Sequence, residues 1–164
     1  MSVLYINQKI FKITDHYPVT NHRGQTVYQV DQDFTLIGAR IRVKNKKNKR
    51  SFVIKKKLIS LFPQYHVHFD DGKSFTIKQR LSFFRKVDLV SRDYKFRLKG
   101  NLFDTHFEVF DGKENIGYVE KEFFSLRDRF AIHVNIPSYE EELLALVIAL
   151  DHMQDTEEKQ RNRA

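Results

Sequence analysis

Ten cations, Arg40, Arg42, Lys44, Lys46, Lys47, Lys49, Arg50, Lys55, Lys56 and Lys57, fall in one stretch of chain that holds no acid. The whole chain carries 29 Lys+Arg against 21 Asp+Glu, a formal net charge of +8, so outside this stretch acids slightly outnumber bases. A single cationic segment of this density attracts anionic surfaces, because each cation near an anionic membrane contributes about 1 kcal/mol.

Alternation sharpens the pattern. In the run Leu36 to Val43, apolar Ile37, Ala39, Ile41 and Val43 alternate with polar positions. A strand with that period buries one face, so Arg40, Arg42 and Lys44 share the wet face, about 7 Å apart. Asn45 to Lys49 then form a hairpin tip. On the return strand Phe52 and Ile54 point inward, and Ser51, Val53, Lys55 and Lys57 outward. Like charges on paired strands repel, and a bound polyanion would relieve the repulsion. The expected anion- or lipid-binding residues are therefore Arg40, Arg42, Lys44, Lys46, Lys47, Lys49, Arg50, Lys55 and Lys57. The competing expectation is an edge hairpin whose lysines only block aggregation.

Other chemistry is sparsely provided. Nucleic acid fits less well, since single-strand binding also wants exposed aromatics and this stretch holds only the inward Phe52. His66 and His68 share a strand face, but Val67 and Phe69 claim the interior and no glutamate follows nearby, so they read as a surface pair and not as metal ligands. With no cysteine, zinc–thiolate sites, disulfides and thiol nucleophiles are excluded. There is no Gly-x-Ser-x-Gly, no phosphate-cradling Gly-rich loop and no His-Glu-x-x-His. Glu140, Glu141 and Glu142 favour a helix N-terminus electrostatically. No catalytic residue, metal or cofactor is expected, and the chain reads as a non-enzymatic binding module. An acidic protein partner, met by an interaction or scaffold domain, is the alternative to lipid.

Strands must position these groups. Tyr65-His66-Val67-His68-Phe69 and Tyr94-Lys95-Phe96-Arg97-Leu98 repeat the period-two pattern with aromatic anchors. Asp71-Gly72, Asp111-Gly112, Gly100-Asn101 and Arg23-Gly24 punctuate the runs at hairpin spacing. About ten to twelve short, locally connected strands follow, and such strands pair antiparallel. The run Val53 to Leu61 is also repeated, 65 residues on, by Tyr118 to Leu126, which suggests two similar halves of one sheet system.

The last element differs. Ser138-Tyr139-Glu140-Glu141 reads as a capping box, and Leu143 to Leu150 is apolar on every face. A helix greasy all round must be surrounded all round. An eight-stranded barrel is filled by its own side chains, so one holding a helix needs more strands. Asp151 closes the apolar run and is expected to hydrogen-bond backbone amides at the barrel mouth. Residues 1–153 thus form one domain with a central helix over about 139–153, and 154–164 a charged flexible tail. The longest apolar run is too short to cross a membrane. Composition favours a reduced, cytoplasmic protein, peripheral at the membrane when docked.

The repeated "Ile-Lys-Lys-x-Leu-x-Ser-Leu" and "Asp-Gly-Lys" elements and the final Leu-Leu-Ala-Leu-Val-Ile-Ala-Leu-Asp helix resemble the LURP-one-related (YxjI-like) proteins of the tubby C-terminal-like superfamily. The resemblance runs from about Tyr28 to Met153. It implies a mainly β fold: an antiparallel, closed, twelve-stranded barrel around a C-terminal hydrophobic helix. Tubby domains bind phosphoinositide headgroups and the related scramblases act on lipids. No headgroup-binding residue of those proteins maps onto a matching position here.

Overall fold

The computed structural model describes residues 1–7, 15–35, 38–57, 61–80, 87–100, 106–123 and 128–163. Expectations for residues 36–37, 58–60, 101 and 124–126 lie outside them. The described residues form twelve strands: β1 (Ser2–Asn7), β2 (His16–Asn21), β3 (Thr26–Thr35), β4 (Gly38–Asn45), β5 (Ser51–Lys56), β6 (Gln64–Phe69), β7 (Ser74–Gln79), β8 (Val87–Val90), β9 (Phe96–Gly100), β10 (His106–Asp111), β11 (Glu114–Glu122) and β12 (Arg129–Val134). A 3-10 turn (Pro137–Tyr139) leads into the helix α1 (Glu140–Arg163).

The strand order is β8-β7-β6-β5-β4-β3-β2-β1-β12-β11-β10-β9, and every ladder is antiparallel. All neighbours are consecutive in the chain except β1 and β12, which pair from Ser2↔Val134 to Asn7↔Arg129. The sheet curls into a barrel that is nearly, not fully, closed: β8 and β9 approach each other but share no ladder. Aromatic rings fill that seam. Tyr94 stacks on Phe96 with centroids 4.4 Å apart, and the edge of Phe75 meets Phe96 at 5.3 Å. The 65-residue repeat has a structural counterpart, since β6 shifted by that amount falls on β12 and β5 falls within β11. The turns behave as their residues require: Gly72 and Gly112 adopt φ of +87° and +60°, the left-handed region that glycine enters at no steric cost.

The helix occupies the bore. Leu143, Leu144, Ala145, Leu146, Val147, Ile148, Ala149 and Leu150 are each at most 5% exposed, and apolar residues from all twelve strands line the same core. An all-round apolar helix is stable here because every face meets wall residues such as Ile6, Val30, Ile54, Val67, Phe107 and Ile132.

Polar groups fix the helix at both ends. At the entry rim, the Glu140 carboxylate accepts hydrogen bonds from Ser2 Oγ at 2.7 Å and from the Tyr28 hydroxyl at 2.9 Å. Asn45 Nδ2 donates to Glu141 at 3.4 Å, and the buried Glu142 accepts from the Tyr94 hydroxyl at 2.8 Å. Burial and these carboxylates push the Tyr28 and Tyr94 phenols well up, and burial raises the Glu142 carboxyl. The expected capping box is therefore not formed. Ile136 caps the 3-10 turn without a side-chain bond, and the glutamates bond to the barrel wall instead. At the exit rim, the Tyr65 hydroxyl lies 2.7 Å from His152 Nδ1, and Gln79 Nε2 donates to Glu157. Asp151 is 5% exposed, and its charge acts on the buried Tyr17 phenol.

The helix also runs further than expected. It continues to Arg163 rather than ending near 153, so the charged segment is helical. Its residues explain this: no glycine or proline interrupts them, Asp155 pairs with Lys159 one turn on at 2.7 Å, and Arg161 and Arg163 favour the C-terminal end of the helix dipole.

Candidate functional site

β4 and β5 carry the cationic stretch as expected. Ala39, Ile41, Val43, Phe52 and Ile54 are buried, while Arg40, Arg42, Lys44, Lys55 and Lys57 are exposed. The register sets Arg40 directly opposite Lys55, Arg42 opposite Val53 and Lys44 opposite Ser51. One cation pair thus faces itself across the ladder, an arrangement that destabilises the pairing unless an anion is nearby. The turn places Lys46, Lys47, Lys49 and Arg50 in solvent at the entry rim. Asn45 shapes it: its side-chain oxygen accepts from the Lys47 amide at 2.9 Å, and its carbonyl from the Lys49 amide at 3.0 Å. Lys49 sits at φ +59°, a conformation that costs a side chain with a Cβ about 1 kcal/mol.

The edge-protection reading does not hold. The edges of the sheet are β8 and β9, whereas β4 and β5 lie between β3 and β6 with both ladders complete. Lysines there shield no unpaired backbone.

Three of the nine expected cations are partly offset by acids. Arg50 lies 3.7 Å from Asp71. Across the β3–β4 ladder Asp33 stands opposite Arg40 and Asp31 opposite Arg42. Those four line a cleft with Asp15, His16 and Gln32, in which Asp31 bonds to His16 Nδ1 at 2.7 Å. The other six, Lys44, Lys46, Lys47, Lys49, Lys55 and Lys57, make no ion pair with the described residues.

The basic surface also extends beyond the hairpin. On β6, His66 stands opposite Lys55 and His68 opposite Val53. On β7, exposed Lys78 stands opposite Gln64. Burial first, then the charges of His68, Lys57 and Lys78, pulls the His66 imidazole below its ordinary value. His66 and His68 thus lie between the lysines of a basic side that spans β4 to β7, and His66 Nδ1 lies 2.8 Å from Thr76 Oγ1. The opposite side, β10 to β12, carries Glu108, Glu120 and Glu122, which engage Lys99, His133 and Arg129. Among the described residues no group of three or more His, Asp or Glu is placed to hold a metal ion, and no helix is long and apolar enough to cross a membrane.

Comparison with known proteins bears on the fold more than on this surface. A family model described as LURP-one-related matches residues 2–151. The uncharacterized protein YxjI of Bacillus subtilis (strain 168) is 26% identical over 154 residues, covering 92% of this chain and 93% of that one. The X-ray structure of a protein from Arabidopsis thaliana superimposes with a TM-score of 0.61 at 12% identity, covering 93% and 91% of the two chains.

Proposed function

The chain belongs to the LURP-one-related family, and from that premise we propose that it is a non-enzymatic binding module that docks reversibly on anionic phospholipid through its basic β4–β5 hairpin. The fold is common to proteins with different tasks, so the argument rests on the surface. One observation carries it: six exposed lysines on a single hairpin have no ion-pair partner among the described residues. An isolated cluster of like charge raises the energy of the folded protein, and an anionic surface lowers it again. A phosphorylated headgroup presents anionic acceptor oxygens that lysine ammonium groups bind as point charges. The nucleic-acid alternative lacks exposed aromatics between the cations, since Phe52 is buried.

Flotation with vesicles tests this reading. The protein is expected to float with phosphatidylcholine vesicles containing phosphatidylserine and to stay behind with phosphatidylcholine alone, and binding should fall steeply as salt is raised. Changing Lys44, Lys55 and Lys57 to serine removes three cations worth about 1 kcal/mol each near the surface, so affinity is expected to drop about a hundredfold. Equal flotation on neutral and anionic vesicles, or undiminished binding by the triple variant, would remove the proposal.

A further inference from the structure

Leu61 is the most exposed large apolar residue described, at 95%. It lies between β5 and β6 at the exit rim, four residues beyond Lys57, on the side of the barrel that carries the free cations. A leucine held out in water next to unpaired lysines has no structural use in the isolated chain: it touches no core, Lys55 and Lys57 form no ion pair with a described residue, and the one acid opposite Lys78, Asp88, is engaged by Arg80. We infer that the protein meets an anionic bilayer with its β4–β7 side tilted down, and that Leu61 enters the acyl boundary as an apolar anchor while Lys55, Lys57 and Lys78 sit at headgroup level. This rests on the docking proposed above and adds to it an orientation and an inserted residue.

The charge distribution selects this side. Interfacial binding combines buried apolar area with attraction of cations to anionic lipid. Phe123 is also exposed, at 62%, and lies at the same rim, where it follows β11. In the strand order β11 stands six strands from β5, half-way round the barrel. Its neighbours Glu120 and Glu122 belong to the acidic side, and the Lys121 ammonium is drawn over the Phe123 ring at 5.3 Å. An anionic surface repels that side, so Phe123 stays in water when Leu61 is buried. The long axis of the barrel is then tilted, and the tip cations Lys46, Lys47 and Lys49 face the same surface as Lys55 and Lys57, because all belong to one hairpin.

The chain contains no tryptophan, so one introduced indole reports its own depth. Leu61→Trp and Phe123→Trp are compared on vesicles of phosphatidylcholine and phosphatidylserine doped with brominated phosphatidylcholine. Both positions are exposed, and neither substitution disturbs the core. Emission of the Leu61→Trp variant is expected to shift to the blue and be quenched by bromine, with that of Phe123→Trp unchanged. Leu61→Ser, with every cation in place, is expected to bind about tenfold more weakly, the loss that follows from leaving one leucine out of an apolar environment. Vesicle binding by Leu61→Trp without quenching overturns the insertion and leaves the docking standing. Equal quenching of the two variants overturns the orientation. Absence of binding to anionic vesicles overturns both, and a protein partner on this side would then have to account for the free lysines.

Discussion

Replacing Gly117 by alanine is expected to cost about 3 kcal/mol or more, enough to unfold much of a marginally stable population. A Cβ built on Gly117 would lie 2.4 Å from the His133 carbonyl oxygen and 2.6 Å from Leu143 Cδ1. The first obstacle is backbone in the ladder with β12, where Gly117 pairs with Val134. The second is the first fully buried leucine of α1. Neither can move aside without opening the ladder or shifting the helix along the bore, and interiors packed to crystal density transmit such strain. Gly112→Ala is the matched control. There the added methyl meets nothing within 4 Å, but φ is +60°, so the cost is the left-handed penalty alone, about 1 kcal/mol. Denaturant titration of the two variants separates packing from backbone strain. Equal losses would contradict the close approach of helix and wall at Gly117.

Acid is expected to weaken the fold through His152. This imidazole is held largely out of water beside Tyr65, and its pKa is pulled down to about 4, first by desolvation and then by the charge of Lys56. Unfolded, it titrates near 6.5. Between pH 6.5 and 4 the unfolded chain binds a proton that the folded chain refuses, so stability falls as pH falls through that window. The full difference corresponds to about 3 kcal/mol. Glu142 works in the opposite sense: burial raises its carboxyl, so the folded state takes up a proton more readily than the unfolded one. His66, also lowered, acts in the same direction as His152. Subtracting the pH profile of His152→Gln from that of the original chain isolates the one term. A difference profile that is flat from pH 6.5 to 4 would mean that His152 is not sequestered at the exit rim.

Much of this architecture is readable from local pattern. Leu143 to Leu150 announces its burial because no face of a helix with that sequence tolerates water. Ile41 and Val43 against Arg40 and Arg42 announce the direction of each side chain, since period two leaves no alternative on a strand with one wet face. Asp71-Gly72 and Asp111-Gly112 announce hairpins through the backbone conformation they permit. What escapes such reading depends on partners distant in the chain. The pairing of Asp33 and Asp31 with Arg40 and Arg42 follows from the β3–β4 register, which no window of sequence contains. Tyr28 meets Glu140 across 112 positions and Asn45 meets Glu141 across 96, so the local capping signal at Ser138 and Glu141 gives way to bonds with the barrel wall. Gly117 looks like any strand glycine until the helix is threaded past it. Lys78 joins the cationic surface, and His66 falls between its lysines, only once β5, β6 and β7 lie side by side. The interior position of β4 and β5 is likewise a property of the whole strand order, and it is what removes the edge-protection reading.

The rigid presentation of the basic side depends on α1 filling the barrel, since twelve strands around an empty bore would collapse or splay. Native-state hydrogen exchange of the Leu143 to Leu150 amides tests this most directly. Those amides are expected to exchange only through global unfolding, with protection that falls in step with overall stability as denaturant is added. Exchange through a smaller opening, insensitive to denaturant and independent of the strands, would show that the helix leaves the barrel on its own and would contradict the account.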